Sequence, residues 1–221
     1  MLRAIAGGDG SPPALCGVCA ATLRVGGAGL TVVAEDGPPA TLCASNPLAG
    51  RIEELQYVMG EGPGVDAHAA GTSVAEPHLD APRRVRWPLF TRSAVAAGAG
   101  ALFSFPLRAG TVRLGALTLH QTRPGRLSDA QHADALALAD VMLQVVVARQ
   151  AGADPGALAE GLEPLATGRA EVHQAAGMIS VQLSVSVAEA LVRLRARAFR
   201  DGRPLADVAA DVVARRIRFG P

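Results

Sequence analysis

The sequence predicts an α+β protein, in which one central antiparallel sheet with flanking helices is followed by a separate three-helix bundle. Three observations carry this. Between residues 30 and 121, short β-branched or apolar runs alternate with helix-length patterns and fall partly in adjacent pairs, as hairpins do. Residues 171–213 hold three helix-length apolar patterns separated by two stop signals. Between these regions lies Gly152-Ala153-Asp154-Pro155-Gly156, the composition of a linker.

Residues 1–13 carry Gly and Pro and read as a loose tail, so the sheet domain is expected over 14–150. Residues 14–23 suit a short helix, and Gly26-Gly27-Ala28-Gly29 breaks it. Strands are expected at 30–34 and 40–44 around Glu35-Asp36-Gly37-Pro38-Pro39, a hairpin turn. Residues 48–59 return to helical spacing. Gly60-Glu61-Gly62-Pro63-Gly64 then cannot continue a helix and reads as a turn at a pocket rim. A short strand at 72–75 and a helix at 83–97, bent at Pro88, come next. The clearest strand pair is 101–108 with 111–121, joined by Ala109-Gly110. Ser128-Asp129-Ala130-Gln131 is a capping box that opens a helix to about residue 150. That helix is apolar on two sides: Leu136, Leu143 and Val147 on one, Leu138, Val141, Met142 and Val145 on another. Covering one sheet needs a single stripe, so the surplus predicts a partner subunit and a homodimer.

A linker is expected over 151–164 and the bundle over 165–221. In the first bundle helix Val172, Ala176, Ile179 and Leu183 recur on one face. Ser186-Val187-Ala188-Glu189 is a second capping box. The next helix buries Val187, Ala190, Leu191, Leu194 and Ala198, and ends at Asp201-Gly202. Pro204 suits a first helical position, and Leu205, Val208, Ala209, Val212 and Val213 carry the third helix. A bundle of roughly 50 residues is marginal alone and gains from attachment to a larger unit.

Every basic residue is arginine, and the net charge of +1 is unevenly spread. Residues 1–150 hold 12 Arg and 12 acids, residues 151–164 hold three acids and no base, and residues 165–221 hold 9 Arg and 5 acids, an excess of +4. The basic excess thus lies on the bundle, where a nucleic-acid contact would need it. The N-terminus lacks an apolar signal region and no apolar run approaches a membrane span, so the expected location is cytoplasmic. Three cysteines, Cys16, Cys19 and Cys43, argue against a disulfide framework. Cys16-x-x-Cys19 has no second ligand pair to complete a zinc site, and reads as two small hydrophobes facing the sheet. Gly60–Gly64 lacks the Lys-Ser/Thr end of a P-loop. No nucleophile–base constellation emerges, and Glu61, Asp66, Glu76, His78 and Asp80 read as solvated loop groups. No catalytic residue, metal or cofactor is therefore expected, and an enzyme is not.

Three spaced blocks of the bundle carry a resemblance: Gln174-Ala175-x-Gly177-Met178-Ile179, Ala188-Glu189-Ala190-x-x-x-Leu194-Arg195, and Pro204-Leu205-x-x-Val208-Ala209. Together they resemble an ANTAR domain, the three-helix RNA-binding output module of bacterial transcription antiterminators. Many members have a lysine where this chain has Ala176, which removes one candidate phosphate contact. In residues 14–149, Leu55-Gln56-Tyr57-x-Met59-Gly60-Glu61-Gly62-Pro63 and the Gly115-Ala116-Leu117 strand resemble the GAF domains fused to ANTAR modules in actinobacteria. The resemblance implies a sensor with a pocket between sheet and outer loops for an unidentified small-molecule ligand. It also implies an output that binds paired RNA hairpins in a leader transcript and so prevents a terminator from forming. One GAF-fold class reduces methionine sulfoxide with cysteines, but here the thiols cluster too early in the domain.

Within the bundle, stepping about 100° per residue from Leu191 puts Leu194 and Ala198 on the buried side. Arg193, Arg197 and Arg200 then form an exposed stripe, with Arg195 at the edge of the buried face. On the first helix Arg169, His173, Gly177 and Ser180 line one side of the apolar stripe. A mid-helix glycine costs about 1 kcal/mol of propensity, so Gly177 is expected to serve packing or close approach of a ligand backbone. The expected RNA-binding set is Arg169, His173, Gly177, Arg193, Arg195, Arg197 and Arg200. Two other readings remain: a DNA-binding regulator using the helices in a major groove, and a signalling adaptor without nucleic-acid binding. Against the first, the third helix offers Ala206, Asp207, Ala209, Ala210 and Asp211 to bases.

Overall fold

The structure is a computed structural model and describes residues 12–33, 39–81, 86–152 and 163–220. The expected N-terminal tail to residue 11, the hairpin turn at 34–38, the start of the helix expected from residue 83 and the linker core at 153–162 lie outside those residues. Backbone contacts divide the chain into two units, Met1–Leu158 and Ala159–Pro221.

In the first unit the elements are α1 (Pro12–Leu23), β1 (Gly27–Val33), β2 (Pro39–Ala44), α2 (Pro47–Met59), α3 (Pro63–Ala70), β3 (Val74–Glu76), α4 (Pro88–Ala96), β4 (Ala101–Ala109), β5 (Val112–Gln121) and α5 (Asp129–Gly152). The five strands form one sheet in the order β2-β1-β5-β4-β3, with every pairing antiparallel. Helices α1 and α5 cover one face, α2 and α3 the other, and α4 packs on α2. Burial on both faces explains why β1, β4 and β5 carry near-continuous apolar runs rather than strict alternation. On the α2–α4 side the core gathers Ile52, Leu55, Leu79, Trp87, Phe90 and Leu102.

Local signals were strongest at the caps. Ser128 and Gln131 satisfy each other's backbone: the Gln131 N–H donates to Ser128 Oγ at 3.2 Å, and the Ser128 N–H donates to Gln131 Oε1 at 2.9 Å. Three expectations change. Pro88 does not bend a helix; it is the first residue of α4, where its missing N–H costs nothing. Gly60–Gly64 is not a single turn. Gly60, left-handed at φ 65°, ends α2, and Pro63 immediately starts α3, a helix the glycine-dense composition concealed. Nor is Glu61 merely solvated, since its Oε2 accepts the Leu89 and Phe90 N–H groups and so caps α4.

The cysteines also differ from expectation. Cys16 on α1 is bonded to Cys43 on β2, with Cα atoms 6.0 Å apart, and only Cys19 is a free buried thiol. An odd count does not forbid one pair when α1 lies across β1 and β2. In the chain-entropy account, closing a 27-residue separation constrains the unfolded state by about 3–4 kcal/mol. Burial pushes the Cys19 thiol up to about 12, so it is an inert core group at neutral pH.

Helix α5 is two-sided in a different way from that expected. Ala135, Leu138, Ala139, Met142, Leu143 and Val146 are buried, while Leu136 and Val147 are each 44% exposed. Its segment Asp129–Ala148 has the length and mean hydropathy, 1.2, to cross a bilayer, contrary to the expectation that no run approaches a span. The difference is physical: Asp134 and Asp140 interrupt the apolar run without lowering its mean far, and the buried stripe packs on the sheet.

In the second unit α6 (Glu163–Leu183), α7 (Val187–Arg200) and α8 (Leu205–Val213) all pack on one another. From Ala170 onward, α6 and α7 bend by 106° at their joint. The core is Val172, Ala175, Ala176 and Ile179 from α6, Ala190, Leu194 and Ala198 from α7, and Leu205, Val208, Ala209 and Val212 from α8. Val187 is an exception to the expected stripe and is 51% exposed. Gly202 adopts the left-handed conformation at φ 62°, as its place after the helix predicts. Pro204 sits one residue before the first helical position, at the cap of α8.

Candidate nucleic-acid interface

The second unit presents three kinds of surface. The first is the arginine stripe of α7. Ser186 Oγ accepts the Glu189 N–H at 3.1 Å, the first half of the expected capping box. The Glu189 carboxylate, however, takes Arg193 at 3.0 Å, one turn ahead. Arg197 and Arg200 both donate to Asp201, the latter at 3.1 Å. Hydrogen bonding from Arg197 first, and from Arg200, holds the Asp201 carboxyl below the usual carboxylate range. The stripe is thus largely neutralised within the chain. Exposed pairs of this kind are worth about 0–1 kcal/mol, so they tax a phosphate contact rather than forbid it.

The second surface lies on α7 opposite its core. Val192 is 58% and Phe199 68% exposed, with exposed Ala196 beside Val192 in the helical wheel. Arg193 and Arg200 flank this apolar strip on one side and half-buried Arg195 on the other. An exposed aromatic among arginines can stack an unpaired base while cations meet the backbone. The wheel used for the arginines contained this signal, because Val192 and Phe199 are seven residues apart.

The third surface is on α6. His173 and Gly177 are partly buried, and an added Cβ at Gly177 would meet nothing within 4 Å. Packing among the described residues therefore does not account for this glycine. Ser180 is committed to structure, its hydroxyl donating to the Val185 carbonyl at 2.6 Å across the α6–α7 joint. Arg169 belongs to α6, but its side chain lies outside the described residues. Ala176 is fully buried, so replacing a lysine at this position removes no exposed cation here.

In the first unit, the space between the sheet and α2–α3 holds the protein's own polar groups. Gln56 and Glu53 are 4% and 3% exposed. Thr31 Oγ1 donates to Glu53 Oε2 at 2.6 Å, Gln56 Nε2 donates to Glu53 Oε1 at 3.3 Å, and the Gly64 N–H donates to Gln56 Oε1 at 2.6 Å. A Cβ at Gly29 would lie 2.7 Å from Glu53 Cγ, and one at Gly64 would lie 2.9 Å from Gln56 Oε1. Those glycines make room for the two side chains, and a ligand entering there would have to displace them. An open groove of about 520 Å³ lies beside α3 and β3, with Asp66, Thr72, Ser73 and Arg86 among its walls. Asp66 accepts from Arg86 at 2.8 Å and from Trp87 Nε1 at 3.1 Å. Burial lowers His120 to about 4, leaving it neutral at physiological pH, with Nε2 3.3 Å from Asn46 Oδ1. Among the described residues, no group of three or more His, Cys, Asp or Glu could hold a metal ion.

Residues 161–213 match the ANTAR domain family. The C-terminal unit is an ANTAR domain. An ANTAR domain is a regulatory, non-catalytic module. No curated protein matches the chain. Among solved structures, the N-terminal region is similar to a domain described as that of a two-component sensor histidine kinase from Sinorhizobium meliloti, at 18% identity and a TM-score of 0.49, covering 63% of this chain and 90% of that one. It is also similar to the GAF domain of an Acinetobacter phosphoenolpyruvate-protein phosphotransferase, at 14% identity and 0.49, covering 64% and 82%. The GAF domain of the Coxiella burnetii enzyme of the same name gives 14% identity and 0.48, covering 64% and 83%. Likenesses at this level carry no inference about a ligand. Both arginine hubs of α7 and the Phe199 strip fall on the ANTAR unit.

Proposed function

We propose that the chain is a cytoplasmic transcription antiterminator, with a sensor over 14–150, a linker over 151–164 and an RNA-binding output over 165–221. The ANTAR match carries this reading, and the +4 excess on the same segment supports it. Binding is stoichiometric and makes or breaks no covalent bond. Loop bases stack on Phe199 and the α7 strip, the arginines take phosphates, and the open α6 face at Gly177 lets an RNA backbone approach. Two hairpins held side by side in a leader transcript keep a terminator from forming. Two outputs are supplied by a homodimer joined through the outward side of α5, at Leu136 and Val147.

The DNA-binding reading gains nothing from α8, whose Asp211 is engaged with two arginines of its own chain and whose Asp207 faces solvent. The test is competition between hairpin RNAs with randomised loops and duplex DNA of matched length at physiological salt. Preference for the hairpins is expected. Equal affinity for duplex DNA of any sequence would overturn the reading.

A further inference from the structure

The chain continues past the matched family segment, which ends at residue 213, as Ala214-Arg215-Arg216-Ile217-Arg218-Phe219-Gly220. This stretch is tied down rather than loose. The Arg216 and Ile217 N–H groups donate to the Asp211 carbonyl at 2.8 and 3.1 Å, and the Phe219 N–H donates to Gln182 Oε1 at the end of α6 at 2.8 Å. Ile217 and Phe219 turn partly inward, which leaves Arg216 and Arg218 exposed between and beside them. Arg215 is exposed too and holds a left-handed backbone at φ 60°.

The charges of this strap are arranged differently from those of α7. Asp211 accepts Arg203 and Arg216, at 2.7 and 2.6 Å, and so draws the α7–α8 joint and the strap to one carboxylate. Those two bonds, Arg203 first, hold its carboxyl below the usual range. Arg215 and Arg218 have no ion pair or hydrogen-bonding side-chain partner among the described residues. Two of these four arginines therefore share one acid, and among the described residues the other two meet solvent uncompensated. On α7, by contrast, Arg193, Arg197 and Arg200 are each engaged by an acid.

We propose that the strap at 214–220, through Arg215 and Arg218 with Arg203 and Arg216 behind them, is a phosphate-binding site that anchors the RNA backbone beside the ANTAR domain. The proposal rests on the RNA-binding reading and places its main electrostatic contact outside the three helices. Uncompensated guanidiniums release counterions from a nucleic acid without first breaking an internal pair, so they contribute most to the salt dependence of binding. Tethering at Gln182 holds them in place, which lowers the ordering cost of the contact.

The experiment uses the full chain, hairpin RNA with randomised loops, duplex DNA of matched length, and salt titrations. Arg215→Gln with Arg218→Gln should melt as the parent does and bind hairpin RNA with a log–log salt slope shallower by about 1.4–1.8, at roughly 0.7–0.9 per phosphate contact. Arg215→Lys with Arg218→Lys keeps the charges and should keep most of the slope, even if the Gln pair proves unstable. A parent that prefers hairpins and a normally melting Gln pair with unchanged slope would overturn the strap site and leave the RNA reading standing. A parent with no preference for hairpins would overturn that reading and this site together. Loss of slope on duplex DNA alone would also overturn the site.

Discussion

A glycine inside a helix costs about 1 kcal/mol relative to alanine, and at Gly177 the space for a Cβ is empty. Gly177→Ala should therefore raise the stability of the ANTAR unit by about 0.4–1 kcal/mol while weakening hairpin binding, because in the proposed complex the methyl group would stand where the RNA backbone approaches. Thermal melting and hairpin affinity check the two halves separately. A stabilised variant that binds as tightly as the parent removes Gly177 from the interface. The arginines teach a related point. Solvent exposure of Arg193 and Arg200 followed from helical spacing, whereas Arg197 is half-buried against Asp201, and the availability of none of the three followed. Glu189 with Arg193 and Arg197 with Asp201 are both spaced i, i+4, a signal present in the sequence that a wheel sorted by burial alone passes over. Phe199 was equally readable by position, yet an apolar residue opposite the core attracts notice only when its exposure is measured.

Helix α5 shows what element-scale reasoning can and cannot supply. Its apolar surplus was visible, but the split between faces was not. Leu143 turned out to belong to the buried stripe and Val145 is only partly exposed, whereas Leu136 and Val147 face out. The test of dimerisation belongs at those two positions. Leu136→Glu with Val147→Glu should give folded monomers in sedimentation or light scattering, with the parent a dimer, and a folded variant that stays dimeric would place the interface elsewhere. Elements with a cap written in adjacent residues were legible to within a few positions: α5 from Ser128 and Gln131, α7 from Ser186, the end of α7 from Gly202. Helix α3 was hidden because Gly62-Pro63-Gly64 has the composition of a turn, and only Pro63 at a helix start reconciles the two. The Cys16–Cys43 bond depends on α1 crossing β2, a tertiary fact that no local pattern encodes.

At the scale of the whole molecule, a charge-balanced sheet unit is joined to a basic helical unit, in which Arg215 and Arg218 have no acid partner among the described residues. The division into units was legible from the linker composition and the three spaced blocks. What lay beyond the sequence was the filling of the space beneath the sheet by Gln56 and Glu53, since a pocket and a polar core draw on the same residues. The central claim is that this protein acts on transcripts by occupying hairpins, in proportion to its amount. In vitro transcription through a template with two hairpins, chosen by their affinity for the protein and placed ahead of a terminator, measures it directly. Readthrough should rise with protein and saturate near one dimer per transcript. Readthrough that stays at its basal level when both hairpins are fully bound would contradict the account.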